Sequence, residues 1–286
     1  MGVIKHLIAG IKRGLGLHRP GRSLLILPDD VFLVSFPKSG NTWVRFLLAS
    51  LLHPDQPVTF ANIGRFIPDL DGGATKREFD RMPRPRFIKS HECFDRRYPR
   101  VIYIVRDPRD VAVSLYHYHR KRRKIADDSP IEGFIARFLA GEAFEGQSWG
   151  QNVLTWVGSR EGDPRFLLLR YEDIIADTAH ELAKIAAFLR ISVTPEQITR
   201  AVERSSAGRM RKMEQDQSDH SGLTRGSRKD LLFVRAASVG GWQSELPPPL
   251  VARIETAWAP LMRHLDYALT TRDNSTVPEF PVFGGG

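Results

Sequence analysis

Lys38, Ser39, Gly40, Asn41 and Thr42 sit between an apolar run and a helix-forming one, in the stretch VSFPKSGNTWVRFLL (34–48). A cation, a glycine and two hydroxyls in a strand-to-helix turn make an anion cradle. The first N–H groups of a helix have no intrahelical partner, and the helix dipole adds positive charge at the same place. Gly40 would let the backbone approach an anion closely. The familiar triphosphate cradle ends in Gly-Lys-Ser/Thr, whereas here the lysine precedes the glycine. A second group is Lys89 and His91 in FIKSH, and a third is Arg106 and Ser114 in VRDPRDVAVSLYHYH. Histidine titrates near pH 6.5 and is suited to moving protons at neutral pH. Each group also has an ordinary structural reading. The loop has the composition of a plain turn with a capping hydroxyl, and His91 that of a structural hydrogen-bonding residue. Lys89 has Asp107 or Glu92 as candidate partners, and Arg106 has Asp107 or Asp110.

These residues need elements to hold them. The runs VFLVSF (31–36), PRFIKSHE (85–92), RVIYIVRD (100–107) and RFLLLRYED (165–173) read as strands. Helices are expected over Asn41–Leu52, after Pro108, over 177–191 with Asp177 or Thr178 as cap, and after Thr194. This last helix is read as continuing through SSAGRMRKME, and a further one covers roughly Leu250–Leu265. Strands alternating with helices predict a single α/β domain with a central parallel sheet covered on both faces. Ligands of such sheets bind beyond the carboxyl ends of the strands, where Lys38, His91 and Arg106 would emerge. The Gly/Ser-rich stretch 216–228 reads as a mobile loop and 270–286 as a disordered tail.

The chain has 286 residues, a net charge of +9, 42% hydrophobic and 26% charged residues, and one cysteine, Cys93. A lone cysteine excludes an internal disulfide and a Cys-rich zinc site, and fits a reducing, cytoplasmic compartment. No nucleic-acid motif accompanies the positive charge, so no nucleic-acid partner is expected. No uninterrupted apolar run is long enough to span a bilayer. Residues 1–22 place Ile4, Leu7, Ile8, Ile11 and Leu15 on one helical face with basic residues elsewhere. Such a segment suits peripheral contact with an anionic membrane surface; capping the domain and remaining mobile are the alternatives.

Taken in order, PKSGNTW, KSH, VRDPRDVAVSLYHY, RYED, SSAGRMRKME and VRAASVGGW resemble the sulfotransferases that use 3′-phosphoadenosine-5′-phosphosulfate (PAPS). The resemblance runs from about Val31 to Leu265 and implies the sulfotransferase version of the P-loop-kinase-like fold over residues 23–269. It implies that the first loop holds a phosphosulfate, with Lys38 at the bridging region and Ser39, Gly40, Asn41 and Thr42 around the phosphate. Trp43 is implied to pack on adenine, Tyr171 and Ser205 to meet its edge, and Arg106 and Ser114 to take the 3′-phosphate. Arg235 with the backbone of Ala236 and Ala237 is implied to close on that phosphate. His91 takes the place of the general base and Lys89 that of a lysine steadying the sulfuryl group. The donor is thus PAPS and the product PAP (adenosine 3′,5′-bisphosphate), with no metal required.

Three departures stand out. Many relatives have Arg-Lys-Gly in the closing segment where this chain has Arg235-Ala236-Ala237, so one cation is missing. Ala207 replaces a usual phenylalanine, and Asn41 a frequent threonine. A kinase-like nucleotide enzyme and an inactive PAP-binding module are the competing readings. The acceptor is open among small molecules, glycans and lipids, with a hydroxyl or an amine as nucleophile. Segment 62–86 and the loop 125–149, bearing Phe66, Phe134 and Phe144, are expected to shape its pocket. Oligomeric state is open as well.

Overall fold

The computed structural model describes residues 24–72, 74–217, 226–235 and 237–271. The amphipathic segment 1–22, most of the polar loop, Ala236 and residues 272–286 of the tail lie outside the described residues.

Four strands, β1 (Val31–Ser35), β2 (Phe87–Ser90), β3 (Arg100–Val105) and β4 (Phe166–Arg170), form one sheet in the order β2-β1-β3-β4, and every pairing is parallel. The strands read as continuous apolar runs because both faces are covered. Side chains alternate across a strand, so Phe32, Val34, Val101, Tyr103 and Val105 enter one core layer. Val31, Leu33, Ile102, Ile104 and Leu169 enter the other. Helix α1 (Asn41–Leu52) packs Val44, Leu47 and Leu48 into the second layer. Helix α2 (Pro108–Lys121) packs Val111, Ala112 and Leu115 into the first. The first layer also receives α3 (Ile131–Leu139), α4 (Trp149–Arg160) and later α9 (Pro248–His264). The second receives α6 (Thr178–Leu189), which follows the short α5 (Tyr171–Ala176).

Local signals explain most boundaries. Pro108 opens α2, and the Asp107 carboxylate accepts the Arg109 N–H. Asp177 caps α6, and Thr194 with Gln197 forms a capping box at α7 (Pro195–Arg204). Three expectations fail. The helix read from Thr194 through SSAGRMRKME is broken: α7 ends at Arg204 and α8 (Ala207–Gln217) starts anew. Ser205 lies at the break, and its carbonyl accepts the Trp43 indole N–H at 2.9 Å. The stretch read as a loop, 125–149, contains α3, whose Phe134, Ile135 and Phe138 face the core at helical spacing. Segment 62–86 contains two short helices, Ile63–Phe66 and Lys76–Asp80. Thr270 and Thr271, assigned to the tail, each donate backbone N–H and hydroxyl to Glu255. Among the described residues no helix is long and apolar enough to cross a membrane.

Candidate active site

β1 is the central switch point, with β2 on one side and β3 on the other, so the tips of three adjacent strands open into one crevice. A cavity of about 470 Å³ lies there. It is lined by Lys38, Gly40, Asn41, Thr42, Trp43, Lys89, His91, Arg106, Ser114, Tyr171, Arg235 and Ala237, drawn from the whole length of the chain. Two expected site residues are not in its wall. Ser39 is fully buried, and its Oγ has no hydrogen-bond partner among the described residues. Ser205 is fully buried too, with its Oγ 3.5 Å from that of Ser50, so its side chain turns away from the cavity.

The loop after β1 is shaped for an anion. Lys38 and Gly40 both have positive φ, 69° and 95°. Gly40 is the N-cap of α1, and no side chain caps that end, in contrast with Asp107, Asp177 and Thr194. The capping-hydroxyl reading of the turn is therefore not realised, and the helix start is left for a ligand. A Cβ on Gly40 would stand 2.5 Å from the Tyr171 ring, so glycine is required by space as well as by conformation. Asn41 Nδ2 donates to the Leu33 carbonyl and to Ser35 Oγ, both at 3.2 Å, which ties the loop to β1. Its Oδ1 and the Arg106 Nε are buried with no hydrogen-bond partner.

Lys38 places Nζ over the rings of Phe233 and Tyr118, at 4.3 and 4.7 Å from their centroids. Burial, aided by the neighbouring Arg106, pushes its pKa down to about 7. Arg106 donates to the Lys38 and Ser238 carbonyls at 3.2 and 3.0 Å, and its guanidinium lies 4.3 Å from the Tyr171 ring centroid. Trp43 meets the other side of Tyr171 edge-on at 6.0 Å. Of the two carboxylates proposed for Arg106, Asp110 is near, at 3.7 Å. Asp107 instead holds Arg109 at 2.6 Å. The two oxygens of Asp110 also accept the N–H groups of Gly240 and Trp242, at 2.8 and 3.0 Å. That contact pins the segment after Ala237 beside the loop. Arg235 pairs with Glu245 at 2.5 Å, and Glu245 also meets His117.

His91 follows β2. Its Nδ1 lies 2.7 Å from the Ser35 carbonyl, an acceptor only, so this nitrogen carries the proton and Nε2 keeps its lone pair. The Phe144 ring stands edge-on to the imidazole at 5.9 Å. Burial, with Lys89 close by, lowers the His91 pKa to about 3. This corrects the expectation of an ordinary value near 6.5: an imidazole withdrawn from water beside cations resists protonation. Lys89 pairs neither with Asp107 nor with Glu92. Its Nζ lies 2.9 Å from Asp69 and 3.5 Å from Asp71. Asp71 also accepts the His91 backbone N–H at 2.7 Å. Burial raises the Asp71 pKa to about 6, while Asp69 is lowered by Lys89 and His91 against its own burial. Sequence reasoning missed these two carboxylates, which lie in an irregular segment with no motif. Of the aromatics expected at the acceptor pocket, Phe144 reaches the cavity. Phe134 is buried in the core, and Phe66 packs on His53. Ala207 does line the wall, in the company of Met210 and Phe233.

Comparison with known proteins agrees with this geometry. The family model described as a sulfotransferase domain matches residues 28–266. Sulfotransferase 1A1 of Bos taurus is 31% identical over 243 residues, covering 79% of this chain and 80% of its own. The amine sulfotransferase of Oryctolagus cuniculus is 25% identical over 233 residues, covering 77% and 76%. The crystal structure of a mouse sulfotransferase complexed with PAP superposes with a TM-score of 0.70 at 27% identity, covering 86% of this chain and 91% of that one. With its parallel sheet, uncapped loop and cationic crevice, the chain belongs to the sulfotransferase family.

Proposed function

We propose that this protein transfers the sulfuryl group of PAPS to a nucleophile on an acceptor molecule, with His91 as general base. The observation that carries the assignment is the His91 Nδ1 contact with the Ser35 carbonyl at 2.7 Å. It leaves Nε2 as an acceptor inside the cavity that Lys38 and Arg106 also line. The residues present fit the donor. The helix start without a cap, the orphaned Arg106 Nε donor and the space kept open by Gly40 are donor capacity and room that the chain itself does not use.

Bound there, the donor supplies an activated sulfuryl group joined to phosphate through a bridging oxygen. His91 takes the acceptor proton at Nε2 as the acceptor atom bonds to sulfur. The sulfur–bridging oxygen bond breaks, and its electron pair leaves with the phosphate. Lys38 supplies positive charge where that pair arrives, which helps most in the transition state. In-line geometry requires of the protein mainly that it position groups and balance charge, as in phosphoryl transfer. Arg106, Ser114 and Arg235 hold the 3′-phosphate. Trp43 and Tyr171 face the adenine, and the helix start with Thr42 holds the 5′-phosphate. Lys89, braced by Asp69 and Asp71, steadies the sulfuryl oxygens, and Asp71 fixes the backbone at His91.

The test is transfer of labelled sulfate from PAPS to a panel of phenols, alcohols and amines, with PAP binding measured in parallel. His91→Ala should lower turnover about 10²-fold or more while PAP affinity is kept. Turnover equal to the wild type would refute the role of His91.

A further inference from the structure

Helix α2 lays a row of residues along the cavity. Ser114, Tyr118 and Arg122 recur at four-residue spacing and all line it, as one face of a helix must. Ser114 belongs to the end near Arg106. Tyr118 lies under the Lys38 ammonium. Arg122 is one turn further, about 12 Å along the axis from Ser114, beyond the level of Lys38. Lys124 lines the cavity at this end; it is exposed and forms no ion pair among the described residues. His119, 4% exposed, lines the same cavity. Neither of its ring nitrogens makes a well-formed hydrogen bond; its one polar contact is a weak one with the Ala143 backbone. Lys124 also opens onto a second, shallow groove, where Arg120, Arg123, Arg228 and Lys229 join it; Asp127 and Asp230 lie there too, and Arg228 is paired with both. Glu145 also lines the cavity, and Lys89 is committed to Asp69 and Asp71.

Building on the reaction proposed above, we infer that the acceptor is itself an anion. Its nucleophile meets His91 while a carboxylate, sulfate or phosphate on its body rests on Arg122 and Lys124. The weakly held ring of His119 turns an N–H to the same group. The donor already has Lys38, Arg106 and Arg235, so a second cationic pair on the far side of Lys38 serves the other substrate. The basic groove accommodates the remainder of an acceptor larger than the cavity. A buried polar ring held by one weak contact is costly, and an acceptor oxygen beside it lowers that cost.

The test compares 4-hydroxyphenylacetate with its methyl ester, in the wild-type chain and in Arg122→Gln and Lys124→Gln, at physiological ionic strength. The expected result is at least a tenfold higher kcat/KM for the carboxylate in the wild type, since charge-assisted contacts are the strong ones. Each variant should reduce that value about tenfold and leave the ester within about twofold. PAP affinity should fall far less than use of the carboxylate, because neither side chain is among those assigned to the two phosphates. Equal use of the two acceptors, or an equal loss on both in the variants, overturns the inference. Should neither acceptor turn over, their equilibrium binding to the PAP-loaded chain is read instead, and equal affinity there is equally fatal. Failure to bind PAP at all would sink the underlying reaction. Intact PAP binding without a charge preference would remove only the anionic acceptor.

Discussion

Gly40→Ala tests the cradle from two directions at once. The φ of 95° at Gly40 is a left-handed conformation that costs an L-residue about 1–2 kcal/mol. The new methyl would also stand 2.5 Å from Cδ2 and 2.9 Å from Cε2 of Tyr171. An ordinary contact is 3.4 Å or more, so the ring must retreat by roughly 1 Å or the loop must shift. The ring cannot retreat alone, because Arg106 lies 4.3 Å over it and Trp43 meets it at 6.0 Å. The substitution therefore disturbs the loop, the arginine and the adenine wall together. Calorimetry with PAP should show affinity reduced about 10- to 100-fold, the scale of one or two charge-assisted contacts. Thermal unfolding should fall by about 2–8 °C, the equivalent of 1–2 kcal/mol in a domain of this size. Gly64→Ala is the control, since a Cβ there meets nothing within 4 Å; both quantities should stay at the wild-type values. PAP affinity of Gly40→Ala within twofold of wild type would refute the cradle.

Three further outcomes are expected. Because burial and Lys89 lower the His91 pKa to about 3, His91 stays neutral far below its usual range. The His91 imidazole resonances should show no titration between pH 7.5 and 5.5, and a titration near 6.5 there would contradict the buried imidazole. Lys38, lowered to about 7 in the free protein, should be driven back to its charged form by bound phosphosulfate or PAP, so binding takes up a proton. Between pH 7 and 9, above the phosphate pKa of about 6, PAP affinity should fall by up to about tenfold per unit as pH rises. Calorimetry in buffers of different ionisation enthalpy should count nearly one proton at pH 8, and Lys38→Met should abolish both effects. Arg106→Ala should weaken PAP about 10-fold or more through a lost charge-assisted contact and weaken an analogue without the 3′-phosphate clearly less; equal losses for the two nucleotides would move Arg106 out of the 3′-phosphate site.

The amino-acid sequence by itself determined the parallel sheet, the helix starts at Asn41 and Pro108, and the residues that leave the strand tips. These are short-range matters. An apolar run covered on both faces, a proline at a first turn and a glycine before a helix act through their immediate neighbours. Lys38, His91 and Arg106 were legible because a strand end fixes where the next residue emerges. Ser39 and Ser205 lie in the same motifs yet turn inward, because side-chain direction at a turn or a helix break depends on what packs against it. The tertiary structure alone decided that Lys89 finds Asp69 and Asp71, 20 and 18 residues before it. It alone set Asp110 to hold the chain 130 residues away at Gly240, and the Tyr171 ring to forbid a side chain at Gly40. The same holds for the low pKa of His91, which arises from withdrawal of water and the convergence of charges from separate elements. No local pattern encodes such effects, since burial and long-range charge pairing exist only once the layers have closed around the crevice.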